Sequence, residues 1–421
     1  MNKQIEKLLE VHQQSFVQHL CQLVNYESTY QNEWQAQQYI NMLLTELEMD
    51  IDWFEPDVNE LMKHEAFVST RDQFERSPNV IGVWKGEGGG RSLLLNSHID
   101  VVPGGDLRQW KTAPFQAYFD GERVFGRGTT DMKGGTISLL LALKVIKELN
   151  VRLKGNLIFQ SVVDEECGGA GTLAATLKGY QADAALIPEP TKLKIFPLQQ
   201  GSLWFRIKVT GRAAHGGTRY DGVSAIDKAY VVIEQLKMLE KRRNEQIHHP
   251  LYEHIPIPIP INIGKISGGD WPSMVPDHVI IEGRYGVFFE ETIEEAKEVF
   301  EQILHPSMFL DPWFIEHPLA VEWFGAQWMP GSINMDHPFL HVIKDTVMKV
   351  SGQKAKVEAA PWATDAGVLY QVGHIPTVVY GPGTTELAHY PNESIEVKAM
   401  VEAAKVFVHL ILRWCEFETD S

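Results

Sequence analysis

The sequence predicts an α/β protein in which a mixed sheet is flanked by helices and a smaller α+β unit is inserted. Three observations lead to this fold class. Short apolar runs alternate with helical periodicity up to about residue 199, the order of elements changes to β-α-β-β-α-β after it, and the first pattern returns beyond about residue 330. We therefore expect a discontinuous larger domain of residues 1–199 and 330–421 around an insert of residues 200–329.

The larger unit contains strands whose composition fits a sheet buried on both faces. Nearly continuous apolar runs are typical of such strands, whereas helices repeat apolar positions every three or four residues. A polar segment, residues 55–78, has neither pattern and predicts an irregular stretch. On these grounds we predict helices over residues 2–24, 33–48, 134–149, 173–177, 338–350 and 397–414, and strands over residues 79–85, 92–96, 156–163, 184–188 and 377–380.

The insert has the element order of a ferredoxin-like fold of the split βαβ type. We predict strands over residues 203–210, 259–266, 279–285 and 320–324, and helices over residues 223–239 and 291–304. There is no internal repeat of the length that indicates a solenoid.

Composition and charge exclude several classes of protein. The chain has 421 residues, of which 44% are hydrophobic and 22% charged, as in ordinary folded proteins. With 38 basic and 55 acidic side chains, the formal charge of −17 argues against nucleic acid or an anionic membrane as a partner and favours cations. Three distant cysteines predict neither a disulfide framework nor a thiolate metal site. We see no signal peptide and expect a cytoplasmic protein.

Metal-competent side chains begin at the end of the second predicted strand. His98 and Asp100 lie two residues apart there, so that one could bind a metal while the other orients the imidazole. Asp131 follows in a glycine-rich turn, GRGTTDMKGG, directly before a helix. The glycines can hold its carboxylate rigidly, but an ordinary helix N-cap explains this aspartate equally well.

Further acidic side chains follow the next strands. Asp164, Glu165 and Glu166 are adjacent, and such a run at the edge of a core is unfavourable without a cation, although a solvated loop could tolerate it. Glu189 and His389 follow two later strands, at the edge where open α/β sheets build their sites. Two imidazoles and three carboxylates, one of them shared, fit a pair of zinc ions and leave one acid as a general base.

The motifs SHIDVVP, GRGTTDMKGG, DEECGGAG, PEPT and GPGTTELAH, in this order, resemble the M20 family of metallopeptidases and amidohydrolases. The likeness is strongest to the acetylornithine deacetylase and succinyl-diaminopimelate desuccinylase branch. It implies a zinc-hydrolase-type domain with an inserted lid or dimerisation domain, and two zinc ions that cobalt or manganese can replace. It further implies His98 and Glu189 on one ion, Glu166 and His389 on the other, and a bridging Asp131, often followed by a cis peptide.

The resemblance also suggests residues that act on the substrate. Glu165 would be the general base, and Asp100 would orient His98. In the insert, the segment GRAAHGGTRYDGVSA is similar to one whose histidine reaches across a dimer to polarise the scissile carbonyl, which nominates His215; a surface histidine is the alternative. Arg284 matches an arginine that binds a substrate carboxylate, although it could simply be an exposed strand residue.

The sequence thus predicts a dinuclear zinc amidohydrolase, a homodimer that removes an acyl group from a small N-acyl amine or amino acid. Gly217 and Ser273 stand where serine and asparagine are common in the family, and they leave the substrate open. Alternatives with the same site are a di- or carboxypeptidase and an N-formyl-aminopyrimidine deformylase. A metal-binding protein without catalytic activity is a third, against which the intact set of ligands argues.

Overall fold

Helices and strands alternate throughout residues 1–419, the part of the chain that the computed structural model describes. The described helices are α1 (Asn2–Asn25), α2 (Trp34–Glu46), α3 (Val58–Leu61), α4 (Gly134–Glu148), α5 (Ala170–Leu177), α6 (Ala225–Glu245), α7 (Ile293–Ile303), α8 (Trp313–Glu316), α9 (Pro338–Ser351), α10 (Ala366–Gln371) and α11 (Val397–Cys415). The described strands are β1 (Asp50–Phe54), β2 (Asn79–Trp84), β3 (Leu93–His98), β4 (Tyr118–Phe119), β5 (Arg123–Phe125), β6 (Val151–Leu153), β7 (Leu157–Val162), β8 (Ala185–Ile187), β9 (Ile195–Gln199), β10 (Gly201–Thr210), β11 (Ile261–Gly268), β12 (His278–Val287), β13 (Ala320–Trp328), β14 (Gly331–Ser332), β15 (Val357–Ala360), β16 (Thr377–Val379), β17 (Ser394–Glu396) and β18 (Phe417–Thr419).

The largest sheet is mixed, and its centre is parallel. Its strand order is β1-β2-β7-β3-β8-β16-β9-β14, and β15 also pairs with β9. The four neighbours β7, β3, β8 and β16 run parallel, whereas β1, β2 and β14 are antiparallel to their neighbours. The carboxyl ends of the four central strands therefore meet at one edge of the sheet, as the sequence predicts.

Both faces of this sheet are covered by helices. Leu93 and Leu95 of β3 join the core formed with α1, α4, α9 and α11, whereas Leu94 joins the core formed with α5 and α10. Because neighbouring strand residues point to opposite faces, a strand packed on both sides reads as a continuous apolar run, which explains why the central strands were predictable.

Strands β1 and β9 of the large sheet were not predicted. The sequence of β1, DIDWF, is polar and partly exposed, and β9 contains Pro197, which is unusual within a sheet. Residues 55–78 are irregular apart from the single turn of α3, as predicted.

The second sheet is antiparallel and contains only strands that lie between residues 201 and 328. Its order is β11-β12-β10-β13, and α6 and α7 pack against it through residues such as Leu236 and Phe300. The predicted ferredoxin-like element order is confirmed. The last strand continues four residues beyond its predicted end. A register shift occurs at Gly325, whose φ is +74°, and the ring of Trp204 occupies the space that a side chain at this position would fill.

The C-terminal helix α11 packs on the core, with its polar residues outward. Lys405 binds Glu6 of α1 at 2.6 Å, and Arg413 binds Asp345 of α9 at 2.5 Å. Among residues 1–419, no helix combines the length and the hydrophobicity needed to cross a membrane.

Candidate metal centre and substrate cavity

The parallel strands bring the five predicted ligands to one place. Each ligand follows a strand end or a turn at the same edge of the large sheet: His98 ends β3, Glu166 follows β7, Glu189 follows β8, His389 follows β16, and Asp131 precedes α4. The peptide bond after Asp131 is cis, as the resemblance implied.

Asp131 lies between the two histidines. Its Oδ1 is 3.3 Å from Nε2 of His98, and its Oδ2 is 3.4 Å from Nε2 of His389. On the outer sides, Glu189 Oε1 is 3.6 Å from His98 Nε2, and Glu166 Oε1 is 3.2 Å from His389 Nε2. The five side chains thus form two groups of three that share one aspartate, which is the arrangement expected of a bridging ligand.

These distances fit two metal ions. Zinc bound at 2.0–2.1 Å in a tetrahedron separates neighbouring ligand atoms by roughly 3.3 Å, and the four measured distances lie close to that value. Imidazole nitrogen with carboxylate oxygen is also the donor set of catalytic zinc sites. The residues present therefore fit a pair of divalent cations.

Carboxylates outnumber histidines at the site, and burial and neighbouring side chains shift their pKa values. Burial raises the pKa of Glu165 and of Glu189 well above the ordinary value, and neighbouring carboxylates add to both shifts. Although burial opposes it, hydrogen bonds to His389 and His98 hold the pKa of Asp131 well below its usual range. Such a concentration of negative charge is what bound divalent cations would neutralise.

Glu165 and Asp100 lie beside the ligands. His98, Glu165 and Glu189 each present one atom within 4.8 Å of the others, so Glu165 faces the same space as the ligands. The Asp100 carboxylate accepts the backbone N–H groups of Glu165 at 3.2 Å and of Glu166 at 3.0 Å. His98 Nδ1 lies 2.8 Å from the backbone carbonyl oxygen of Asp100 and 3.7 Å from its carboxylate. The carbonyl is therefore the nearer partner. Asp100 therefore contacts both the histidine and the turn that carries Glu165.

A cavity of about 490 Å³ opens beside Glu165 and is unusually aromatic. Tyr30, Trp204, Trp328 and Trp362 line it, together with Glu166 and His389 of the ligand cluster. The Trp328 indole also donates a hydrogen bond to the backbone carbonyl of Glu165 at 2.9 Å. A larger groove of about 760 Å³ runs along α11, but no histidine lines it. The chemistry of the side chains therefore identifies the smaller cavity as the candidate substrate site.

Arg284 lines this cavity, as its predicted role requires. It lies on β12, directly opposite Trp204 of β10, and burial lowers the pKa of its guanidinium to about 10. Among residues 1–419, no carboxylate forms an ion pair with it. A partly buried arginine without a protein carboxylate is suited to bind the carboxylate of a ligand.

His215 is the one predicted site residue that the structure does not bring to the cluster. It is exposed, pairs with Met274 through an isolated bridge, and accepts the backbone N–H of Gly217 at its Nδ1. It is absent from the described residues that line the cavity. Gly217 and Ser273, the two departures noted in the sequence, both lie beside it.

Arg71, which lies in the irregular segment 55–78, was not predicted as a residue of the site. The structure buries it in the wall of the cavity, where its Nε is 2.8 Å from Asp164 and its guanidinium also binds Glu33. Ser77 donates a second hydrogen bond to Glu33 at 2.7 Å. Asp164 directly precedes Glu165, so this network supports the turn that carries the predicted base. Arginines in polar segments are usually solvated, and no periodicity distinguishes this one.

The chain is similar to several known proteins. The model of peptidase family M20/M25/M40 matches residues 94–413. An N-formyl-4-amino-5-aminomethyl-2-methylpyrimidine deformylase from Halalkalibacterium halodurans is 32% identical over 90% of this chain and 89% of its own length. An acetylornithine deacetylase from Edwardsiella ictaluri is 29% identical over 83% of this chain and 85% of its own. The structure of the dipeptidase Dug1p from Saccharomyces cerevisiae, 13% identical, superposes with a TM-score of 0.76 over 99% of both chains and shows the shared fold.

Proposed function

Because the chain belongs to peptidase family M20/M25/M40 and is a hydrolase that acts on amides, we propose that it cleaves a small N-acyl amine with water activated at two zinc ions. The observation that carries this proposal is the position of Asp131, whose two oxygens face different histidines at 3.3 and 3.4 Å. A helix N-cap, the alternative explanation of this aspartate, would not require either contact.

The ligands divide between two ions as the resemblance implies. His98 and Glu189 would hold one cation, Glu166 and His389 the other, and Asp131 both. When bound, such a pair polarises the amide carbonyl and lowers the pKa of water toward neutrality. Cobalt or manganese can take the place of zinc, because imidazole and carboxylate ligands suit all three metals.

The side chains around the ions supply the proton transfers. Glu165 takes the proton of the attacking water and delivers it to the nitrogen of the leaving amine. Its position on the cavity wall, beside the ligand cluster, supports both steps. Asp100 fixes the backbone of Glu165, and His215 stabilises the oxyanion that forms from the carbonyl.

His215 is exposed, so we propose that it acts on the site of a second copy of the chain. The inserted domain that we propose for residues 200–329 has a free sheet edge at β11 and carries several exposed apolar side chains. These include Tyr220, Tyr230 and Trp271, which are 80%, 64% and 67% exposed. An exposed apolar surface of this kind supports a homodimer formed through the insert.

The substrate is a small molecule, and we propose an N-formyl group on an aminomethyl-pyrimidine as the best fit. Three tryptophans and a tyrosine around the cavity offer flat surfaces for an aromatic ring. The deformylase relative acts, by its name, on such a compound.

The cysteines Cys21, Cys167 and Cys415 are free thiols, which supports the cytoplasm as the location of the reaction.

A second candidate is an N-acyl amino acid, because Arg284 lines the cavity without a protein carboxylate beside it. The deacetylase relative is named for a substrate of this kind. A di- or carboxypeptidase activity would use the same arginine on a peptide carboxylate.

One rate comparison separates these functions. The protein, loaded with zinc or cobalt, is assayed on the N-formyl aminomethyl-pyrimidine, N-acetyl-ornithine, N-succinyl-diaminopimelate and a dipeptide. We expect the highest kcat/KM for the formyl pyrimidine. A higher value for N-acetyl-ornithine supports the second candidate, and a preference for the dipeptide overturns the deacylase assignment. No hydrolysis of any of these amides by the metal-loaded protein would contradict the proposed function altogether.

A further inference from the structure

Arg127 and Glu393 form a buried ion pair behind the ligand cluster. Arg127 Nη1 lies 2.6 Å from Glu393 Oε2, and the two side chains are 3% and 1% exposed. Neither is among the described residues that line the substrate cavity. Burying two opposite charges is unfavourable unless their remaining donors and acceptors are bonded, so the other contacts of this pair indicate what it is for.

Glu393 holds the backbone of the bridging aspartate. Its Oε1 accepts the N–H groups of Thr130 at 2.8 Å and of Asp131 at 3.2 Å. The same carboxylate therefore bonds Arg127 with one oxygen and the Asp131 turn with the other. Because charge-assisted hydrogen bonds are strong and directional, they fix where the Asp131 backbone lies.

Arg127 holds the segment that carries His389. Its Nη2 donates to the backbone carbonyl of His389 at 3.3 Å and to that of Pro103 at 3.3 Å, and its Nη1 lies 3.5 Å from the carbonyl of Tyr390. His389 has a positive φ of 63°, a conformation that is uncommon for residues with a side chain.

The other end of the cluster is positioned independently. His98 belongs to the fully buried strand β3, and its Nδ1 bonds the carbonyl of Asp100. Glu189 follows β8, and no hydrogen bond or ion pair joins either of these ligands to Arg127 or Glu393 within residues 1–419. The ion pair thus contacts the ligands of one cation more closely than those of the other.

We propose that Arg127 and Glu393 act as a positioning clamp that sets the distance between Asp131 and His389 and thereby the affinity for the cation between them. This inference rests on the proposed function of the cluster as a two-cation site. The residues do not touch substrate, and their effect on hydrolysis would come through the metal alone.

Zinc titration of the metal-free protein against a chromogenic chelator tests the clamp. Glu393→Gln keeps the size of the side chain but removes its charge, and Arg127→Lys keeps the charge but loses the forked contacts to His389 and Pro103. We expect one of the two zinc affinities, that of the site formed by Asp131, Glu166 and His389, to fall by about 10–100-fold in each variant, as for other residues that orient metal ligands. The other affinity should fall less, because His98 and Glu189 keep their positions and only Asp131 is shared by the two sites.

A matched control lies on the two strands next to this pair, β5 and β17. Arg123 of β5 and Glu396 of β17 form an ion pair at 2.7 Å that is 29% and 58% exposed and contacts no predicted ligand. Arg123→Lys and Glu396→Gln should leave both zinc affinities unchanged. Circular dichroism shows which variants fold, and either clamp variant alone suffices for the test.

The outcomes are distinct. Unchanged zinc affinities in a folded clamp variant would overturn the inference, as would an equal loss at both sites, which would indicate general loosening of the fold. If the unchanged protein takes up fewer than two zinc ions, the proposed function fails first, and the clamp has no second cation to position.

Discussion

The ligand cluster and the His215 segment were both predicted from sequence motifs, but the structure treats them differently. The five ligands lie 3.2–3.6 Å from their neighbours, whereas His215 is exposed on the insert and does not reach the cavity. Parallel strand ends bring distant residues together within one chain. His215 has no such constraint. The ligand cluster therefore lies within one chain, whereas the oxyanion site that we propose needs two chains.

The largest effect is expected from Glu165→Ala, which removes the proposed base and leaves all five ligands in place. We expect turnover to fall by about 10³-fold or more while the protein still binds two zinc ions. Metal analysis and steady-state kinetics on the same preparation measure both. Glu386→Ala, an exposed glutamate near His389, is the control that should keep full turnover. Near-normal turnover of Glu165→Ala would refute its role.

His215→Ala tests the other half of the comparison. We expect kcat to fall by about 10²-fold, because one oxyanion donor is lost, with no change in metal content. Mixing this variant with Glu165→Ala under conditions that exchange subunits should restore about a quarter of the unchanged activity, since random pairing gives one complete site in half of the dimers. No restoration would mean that His215 does not act across a dimer.

Arg284→Met separates the two candidate substrate classes. We expect KM to rise about tenfold or more for N-acyl amino acids, because a charge-assisted hydrogen bond to their carboxylate is lost, and to stay unchanged for the formyl pyrimidine. Measuring KM for both substrates with one variant provides the internal control. Equal losses for both substrates would show that Arg284 shapes the cavity and does not bind a carboxylate.

The smallest effect is expected from Trp328→Phe, which keeps a ring in the cavity but removes the N–H that bonds the Glu165 carbonyl. Loss of one neutral hydrogen bond predicts a decrease in kcat of about 3- to 10-fold. Trp323→Phe is a matched control on the same strand, since its indole bonds Glu301 away from the site. A decrease of the same size in Trp323→Phe would assign the effect to the strand as a whole.

The sequence was sufficient to predict the elements that depend on residues close together along the chain. Apolar runs and helical periodicity predicted the central strands, α4, α11 and the second sheet, because burial imposes those patterns on neighbouring residues. The motifs that follow the strands predicted that the five candidate ligands lie together, which the parallel sheet explains. Once the strands are parallel, their ends must meet.

What could not be predicted depends on contacts between distant parts of the chain. Arg71 meets Asp164 across 92 intervening positions of the printed sequence, and Arg127 meets Glu393 across an even longer stretch. A single sequence contains no signal for such pairs, because a buried arginine has the same neighbours along the chain as a solvated one. The edge strand β1 was missed because partial exposure permits polar residues in it.

The account depends most on two cations lying on either side of Asp131, and metal stoichiometry tests this directly. The protein is stripped with a chelator, equilibrated with zinc, freed of unbound ions and analysed for zinc per chain. We expect two zinc ions per chain, a loss of amide hydrolysis on stripping and its recovery on reloading. Full hydrolysis by the stripped protein, or no zinc bound after reloading, would contradict the account.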